Sequence, residues 1–218
     1  MKIQKKSPKK PGTKTKKCYA YETLKDMISR HELPLGEMIS ETFLAERLGM
    51  SRTPIRDALQ LLATEGFVKV IPKQGIIVQD VSITEAWEIY EIRLALEQFV
   101  IGRIIDKTTT EHISHLRKII EKQETCMESS DIYQFMVHDS EMHMYLFQIY
   151  ENNKMKEFTA KLRDRFFTVG LKALSKPGRM QSTLEEHVKL VDALERKDLQ
   201  AALSSLEQHL EHGKQHVF

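Results

Sequence analysis

Cysteine is scarce: Cys18 and Cys126 stand alone in 218 residues, with no C-x-x-C spacing. Two isolated thiols offer neither a disulfide framework nor a thiolate metal cage, and they fit a reducing cytosol. Long apolar runs are missing too. Nowhere do about 18 apolar residues follow one another, the length that a membrane-crossing helix needs, and the lysine-rich start leads into no stretch of signal-peptide length. A cytoplasmic protein that enters no membrane is the expectation. No internal repeat is visible, which excludes a solenoid. Finally, residues 1–17 contain eight lysines and no acid, so the formal charge of +2 hides 25 basic against 31 acidic groups in the remainder. A Lys-Pro-Gly-Ser-Thr segment cannot bury apolar area. Residues 1–17 therefore read as a disordered basic tail, which either adds salt-sensitive contacts to phosphates or simply keeps the chain soluble.

What is present is organised around Ser51 to Phe67, SRTPIRDALQLLATEGF. Ser51 is a good N-cap, Pro54 is tolerated in a first turn, and Gly66 suits the left-handed residue that ends a helix. At about 100° per residue, Ile55, Ala58, Leu59 and Leu62 share one side, while Thr53, Arg56 and Gln60 share another and Arg52 sits at the N-terminal end. Ahead of it, Ser40 caps ETFLAERLG, with Phe43, Leu44 and Leu48 as an apolar stripe. Two short helices meeting across Gly49-Met50-Ser51 have the layout of a helix-turn-helix, whose second helix enters the DNA major groove. The same spacing also describes two core helices with solvated arginines. Behind Gly66, FVKVIPKQGIIVQ places two β-branched runs around Pro72-Lys73-Gln74-Gly75, the mark of a hairpin.

The pattern E-x-F-L-A-E-R-L-G-M-S-R-T-P-I-R-D-A-L-x-L-L-x-x-E-G-F-V, with Gly75 downstream, resembles the winged helix of GntR-family bacterial repressors over Tyr19 to Val78. It departs at Leu35-Gly36, where the family usually has Pro-Gly, and at Thr42, where some members use an arginine on DNA. The resemblance implies an N-terminal winged helix-turn-helix over residues 18–80. It also implies double-stranded operator DNA as partner, with Arg47, Ser51, Arg52, Thr53, Arg56 and Gly75 at the interface.

From Val81 onward no strand-like alternation recurs. Residues 81–218 parse as six helices: Ile83 to Ile105 behind a Ser82/Glu85 capping box, Glu111 to Met127, Ile132 to Tyr150, Lys154 to Leu174, Thr183 to Arg196 behind Ser182/Glu185, and Leu199 to about Gly213. The fold class is mainly α, a winged helix followed by an all-α bundle. In the third bundle helix Asp139 and His143 fall inside the apolar face of Phe135, Met136, Met142 and Leu146. His187 lies among Leu184, Leu190, Val191 and Leu194, and His209 edges the stripe of Ala202 and Leu206. A buried carboxylate needs a charge partner, a hydrogen-bond network or a metal. Each histidine taken singly is as well explained as a satisfied core residue.

D-S-E-M-H at 139–143, E-E-H at 185–187 and His209 make this domain resemble the FCD ligand-binding domain of many GntR-family repressors. The resemblance implies that Asp139, His143, His187 and His209 hold a divalent metal, for which zinc, nickel, manganese and iron all suit this donor set. It further implies that Arg93, on the inner side of its helix, lines a cavity for a small organic acid; a structural ion pair with Glu97 is the alternative. His138, His212 and His216 match no ligand and read as peripheral. The expected protein is a homodimeric, metabolite-responsive repressor, since one recognition helix reads too few base pairs alone. A metal-dependent enzyme is the rival reading. Four protein ligands favour a binding site over an open catalytic one.

Overall fold

The computed structural model describes residues 15–30 and 32–217, with the side chain of Lys161 excepted. The chain divides after Asp80 into two compact units.

The first unit holds α1 (Lys16–Ser29), β1 (Met38–Ile39), α2 (Glu41–Arg47), α3 (Arg52–Thr64), β2 (Val68–Ile71) and β3 (Gly75–Val78). Thr15 caps α1 by accepting from the Cys18 amide. Lys16 and Lys17 therefore open a helix and do not belong to a tail; the rest of the expected tail, residues 1–14, lies outside the described residues. Ile55, Ala58, Leu59 and Leu62 of α3 bury against Ala20, Leu24 and Ile28 of α1. Phe43, expected in the buried stripe of α2, is instead 49% exposed. Ala45 takes its place, because a helix of two turns can cover only the face one step round from Phe43. The hairpin is antiparallel with Ile71 opposite Gly75, and a third strand joins it in the order β1-β3-β2. That two-residue strand was not expected, since Leu35 to Ser40 carries no alternation long enough to read.

The second unit is all α: α4 (Ile83–Ile104), a 3-10 turn (Ile105–Lys107), α5 (Thr110–Glu128), α6 (Ile132–Tyr150), α7 (Asn153–Leu174), α8 (Arg179–Glu195) and α9 (Leu199–Gln215). Ser82 caps α4 by accepting from the Glu85 amide. The expected start of α8 at Ser182 is wrong by a turn. Gly178, in the left-handed region at φ 75°, opens the helix, and the Ser182 hydroxyl folds back on the Gly178 and Arg179 carbonyls. The extra turn carries Arg179, which is buried. Leu116, Phe135, Leu146, Phe147, Leu190, Leu206 and their neighbours form one continuous core. Among the described residues no helix is long and apolar enough to cross a membrane.

Candidate metal centre and nucleic-acid interface

Four inward polar residues meet in the middle of the bundle. Asp139 and His143 come one turn apart from α6, His187 from α8 and His209 from α9; all four are buried. One donor atom from each lies within 4.8 Å of the others, close to the span that donors about 2.1 Å from a common ion can have. His143 Nε2 is 3.2 Å from His209 Nε2. His187 Nε2 is 3.4 Å from Asp139 Oδ1, and His143 Nε2 is 3.9 Å from Asp139 Oδ2.

What aims the rings is on their far sides. His143 Nδ1 lies 2.6 Å from Glu97 Oε2, His209 Nδ1 lies 2.9 Å from Glu186 Oε2, and His187 Nδ1 lies 2.9 Å from Gln123 Oε1. Each of these oxygens accepts, so each Nδ1 carries the proton and each Nε2 presents a lone pair to the centre. The centre is then a set of acceptors facing acceptors. His187 Nε2 is fully buried without a hydrogen-bond partner among the described residues, and the 3.2 Å contact between His143 and His209 has no hydrogen to share. A divalent cation fits this donor set; nothing else among the described side chains neutralises it from within.

The supports are themselves held. Arg93 donates through Nε to Glu97 Oε1 at 3.0 Å. Arg179 donates both terminal nitrogens to Glu186 at 2.7 and 2.8 Å, and His212 Nδ1 reaches the same carboxylate at 2.8 Å. His212 is thus attached to the centre's support and is not a bystander. Burial alone would raise the Glu97 carboxyl, but His143 and Arg93 outweigh it and hold the group down at about 2. Glu186 is likewise held at about 2, burial being overcome by His209 and Arg179. Burial, and after it the neighbouring His209 and His143, pushes His187 well below the ordinary histidine range. Burial also lowers His209, against its bond to Glu186. Neutral imidazoles are the form that a metal needs.

Arg93 does pair with Glu97, as one of the two readings had it, but the pairing uses only Nε. Its terminal nitrogens make no hydrogen bond among the described residues and border a crevice shared with Asp139, His143, Thr159, Arg163 and Phe166. The Thr159 hydroxyl there is also buried without a partner among the described residues. The crevice has about 10 Å³ of free space, room for one water. Sequence reasoning missed Gln123, Glu186 and Arg179. The Arg179 to Glu186 spacing of seven, two helical turns, was the one available signal for a buried pair.

In the winged unit, α3 and the hairpin loop border an open groove lined by Thr42, Arg52, Arg56, Gln60, Lys73 and Gln74. Arg52 and Thr53 are exposed at the start of α3, and Arg52 has no intramolecular polar partner among the described residues. Arg56 is held by Glu41, with Nη2 to Oε2 at 2.7 Å. Arg47 does not line the groove; it donates to Glu32 at 2.9 Å. Ser51 has the extended backbone of a cap, but its hydroxyl bonds no helix amide. Gly75 is required by packing: at φ 147° a Cβ there would stand 2.1 Å from the Ile39 carbonyl oxygen. Its place between β1 and β2 accounts for the glycine, and Gly75 also lines the groove beside Arg52 and Arg56.

An N-terminal recognition helix with a wing, and a helical domain built round a buried cluster of one aspartate and three histidines, define a transcription regulator. Family comparisons agree. The model for bacterial regulatory proteins of the gntR family matches residues 18–78, and that for the FCD domain matches residues 88–212. The chain belongs to the GntR family, in its FCD-bearing branch. It is 28% identical to the uncharacterized HTH-type transcriptional regulator YdhC of Bacillus subtilis, covering 90% of this chain and 88% of that one. It is 28% identical to the gluconate operon transcriptional repressor of Bacillus licheniformis, over 81% and 74%. Among solved structures, E. coli McbR/YncC superposes with a TM-score of 0.75 at 25% identity, covering 91% and 95%.

Proposed function

We propose that this regulator is a metabolite-responsive repressor that binds operator DNA as a homodimer in the cytoplasm. Its helical domain takes one divalent metal on Asp139, His143, His187 and His209, and a small organic acid on Arg93. The observation that carries the metal is the buried Nε2 of His187, partnerless while its Nδ1 is fixed by Gln123. The metal would neutralise the facing acceptors and, with four protein ligands, keep coordination positions for a carboxylate. Arg93 supports the acid because its free fork faces the crevice beside Asp139 and suits bidentate carboxylate binding. With room for one water there, the acid enters only when the α7 wall, Thr159 and Phe166, moves away from α4. A repressing role rests on similarity to the gluconate operon repressor. A second copy is supported by α4, on which Ile92 and Phe99 share one side and both remain exposed.

The deciding experiment is elemental analysis of protein purified without chelator, followed by titration of small carboxylates into metal-loaded and stripped protein. One first-row metal per chain, and acid binding only to the loaded form, is the expected result. Metal-free protein that takes up no added zinc, nickel, manganese or iron refutes it.

A further inference from the structure

Glu41 is an acid on a face that otherwise offers arginines, threonines and glutamines to a polyanion. A carboxylate in the groove between α3 and the wing opposes phosphate binding, so its place there calls for a positive reason. The geometry supplies one. Glu41 sits in the first turn of α2, and both its oxygens accept from Arg56 Nε at 3.2 Å while Oε2 also accepts from Nη2 at 2.7 Å. The grip is on one side of the guanidinium. It leaves the Nη1 end and one N–H of Nη2 pointing onward, and Arg56 remains 61% exposed while Glu41 is only 22% exposed. The end of an arginine fork is the edge that matches guanine O6 and N7 with two parallel N–H groups. A free arginine has several flexible torsions and finds phosphates as readily as base edges; one clamped at Nε and Nη2 has a single direction left. Thr42, next to Glu41, lines the same groove.

We propose that Glu41 is a positioning residue for sequence readout: it fixes Arg56 so that the free end of its guanidinium meets one guanine in each half-site. Glu41 thereby sets base preference, while contributing nothing favourable to affinity for DNA in general. This rests on Arg56 facing DNA, and the experiment separates the two.

The test is selection from a randomised duplex pool by the full chain and by Arg56→Ala, Glu41→Ala and Glu41→Gln. Sequencing reads base preference, and binding to one unselected duplex reads general affinity. An exposed ion pair adds little stability, so melting temperatures should match. The wild type is expected to enrich a guanine that Arg56→Ala no longer selects. Both Glu41 variants should lose preference at that same position by about tenfold, the discrimination one bidentate contact provides. Their preferences elsewhere should stay, with equal or tighter binding to the unselected duplex. If Arg56→Ala loses the guanine but Glu41→Ala keeps it and merely binds all DNA more tightly, Glu41 is a repelling charge and the positioning role is overturned. If Arg56→Ala changes no position, the placement of Arg56 on DNA falls, and the proposal with it.

Discussion

Removing one imidazole from the centre separates a metal site from a buried hydrogen-bond network. His187 is the residue to change, because it is fully buried and its Nε2 makes no hydrogen bond among the described residues. A ligand that binds only the folded state stabilises it by about 2.7 kcal/mol when free metal is a hundredfold above its dissociation constant. The helical unit spans residues 81–218, and unfolding entropy is about 2.1 cal/mol/K per residue near 60 °C, so that increment raises its melting temperature by about 9 °C. Calorimetry of the full chain, stripped and zinc-loaded, reads the difference directly. His187→Ala lowers both curves through the cavity it leaves, but the loaded-minus-stripped gap should fall from about 9 °C to near zero. A variant that keeps the whole gap refutes a metal held by His187. A wild type with no gap refutes the centre itself.

Further outcomes follow from the same geometry. In stripped protein His187 and His209 have lowered pKa values, so below the ordinary histidine value of 6.5 the unfolded chain takes up protons that the folded one refuses. Stability should be full above about pH 7 and fall as pH drops through 6.5, by up to about 1.4 kcal/mol per pH unit for each group; denaturant titrations at about pH 7.5 and about pH 5.5 that coincide would contradict this. Arg93→Lys should weaken acid binding at least tenfold by calorimetric titration, since a point charge cannot replace the fork; unchanged affinity with lower stability would leave Arg93 only its bond to Glu97. Gly75→Ala should destabilise the winged unit by more than about 1 kcal/mol, because its φ and the Ile39 carbonyl both exclude a side chain; an unaltered melting curve would count against that. Arg52→Ala should cost about 1–3 kcal/mol on the selected site and relax one base position; equal loss on random DNA would make Arg52 a phosphate contact.

How much was legible in the chain depends on the range of the interaction. Helix periods and the turn at Gly49 are local, so the sequence alone located α3, the hairpin and the six bundle helices, and it placed Arg93, Asp139, His143, His187 and His209 on inward faces. Local signals also misled. Ser182 looks like a cap next to Glu185, yet Gly178 opens the helix because the turn before Ser182 carries Arg179 to Glu186. Phe43 looks apolar and therefore buried, yet a two-turn helix has no second covered face for it. Only the tertiary structure decided which atoms meet. Gln123 is 64 positions from His187, and Glu97 is 46 from His143. No periodicity along one helix can say which side chain of another will take an Nδ1 proton and so turn a lone pair inward. The same holds for Glu41, whose hold on Arg56 depends on how α2 crosses α3. Composition and period determine which side of a helix is buried; the packing of the helices determines what each buried polar group finds there.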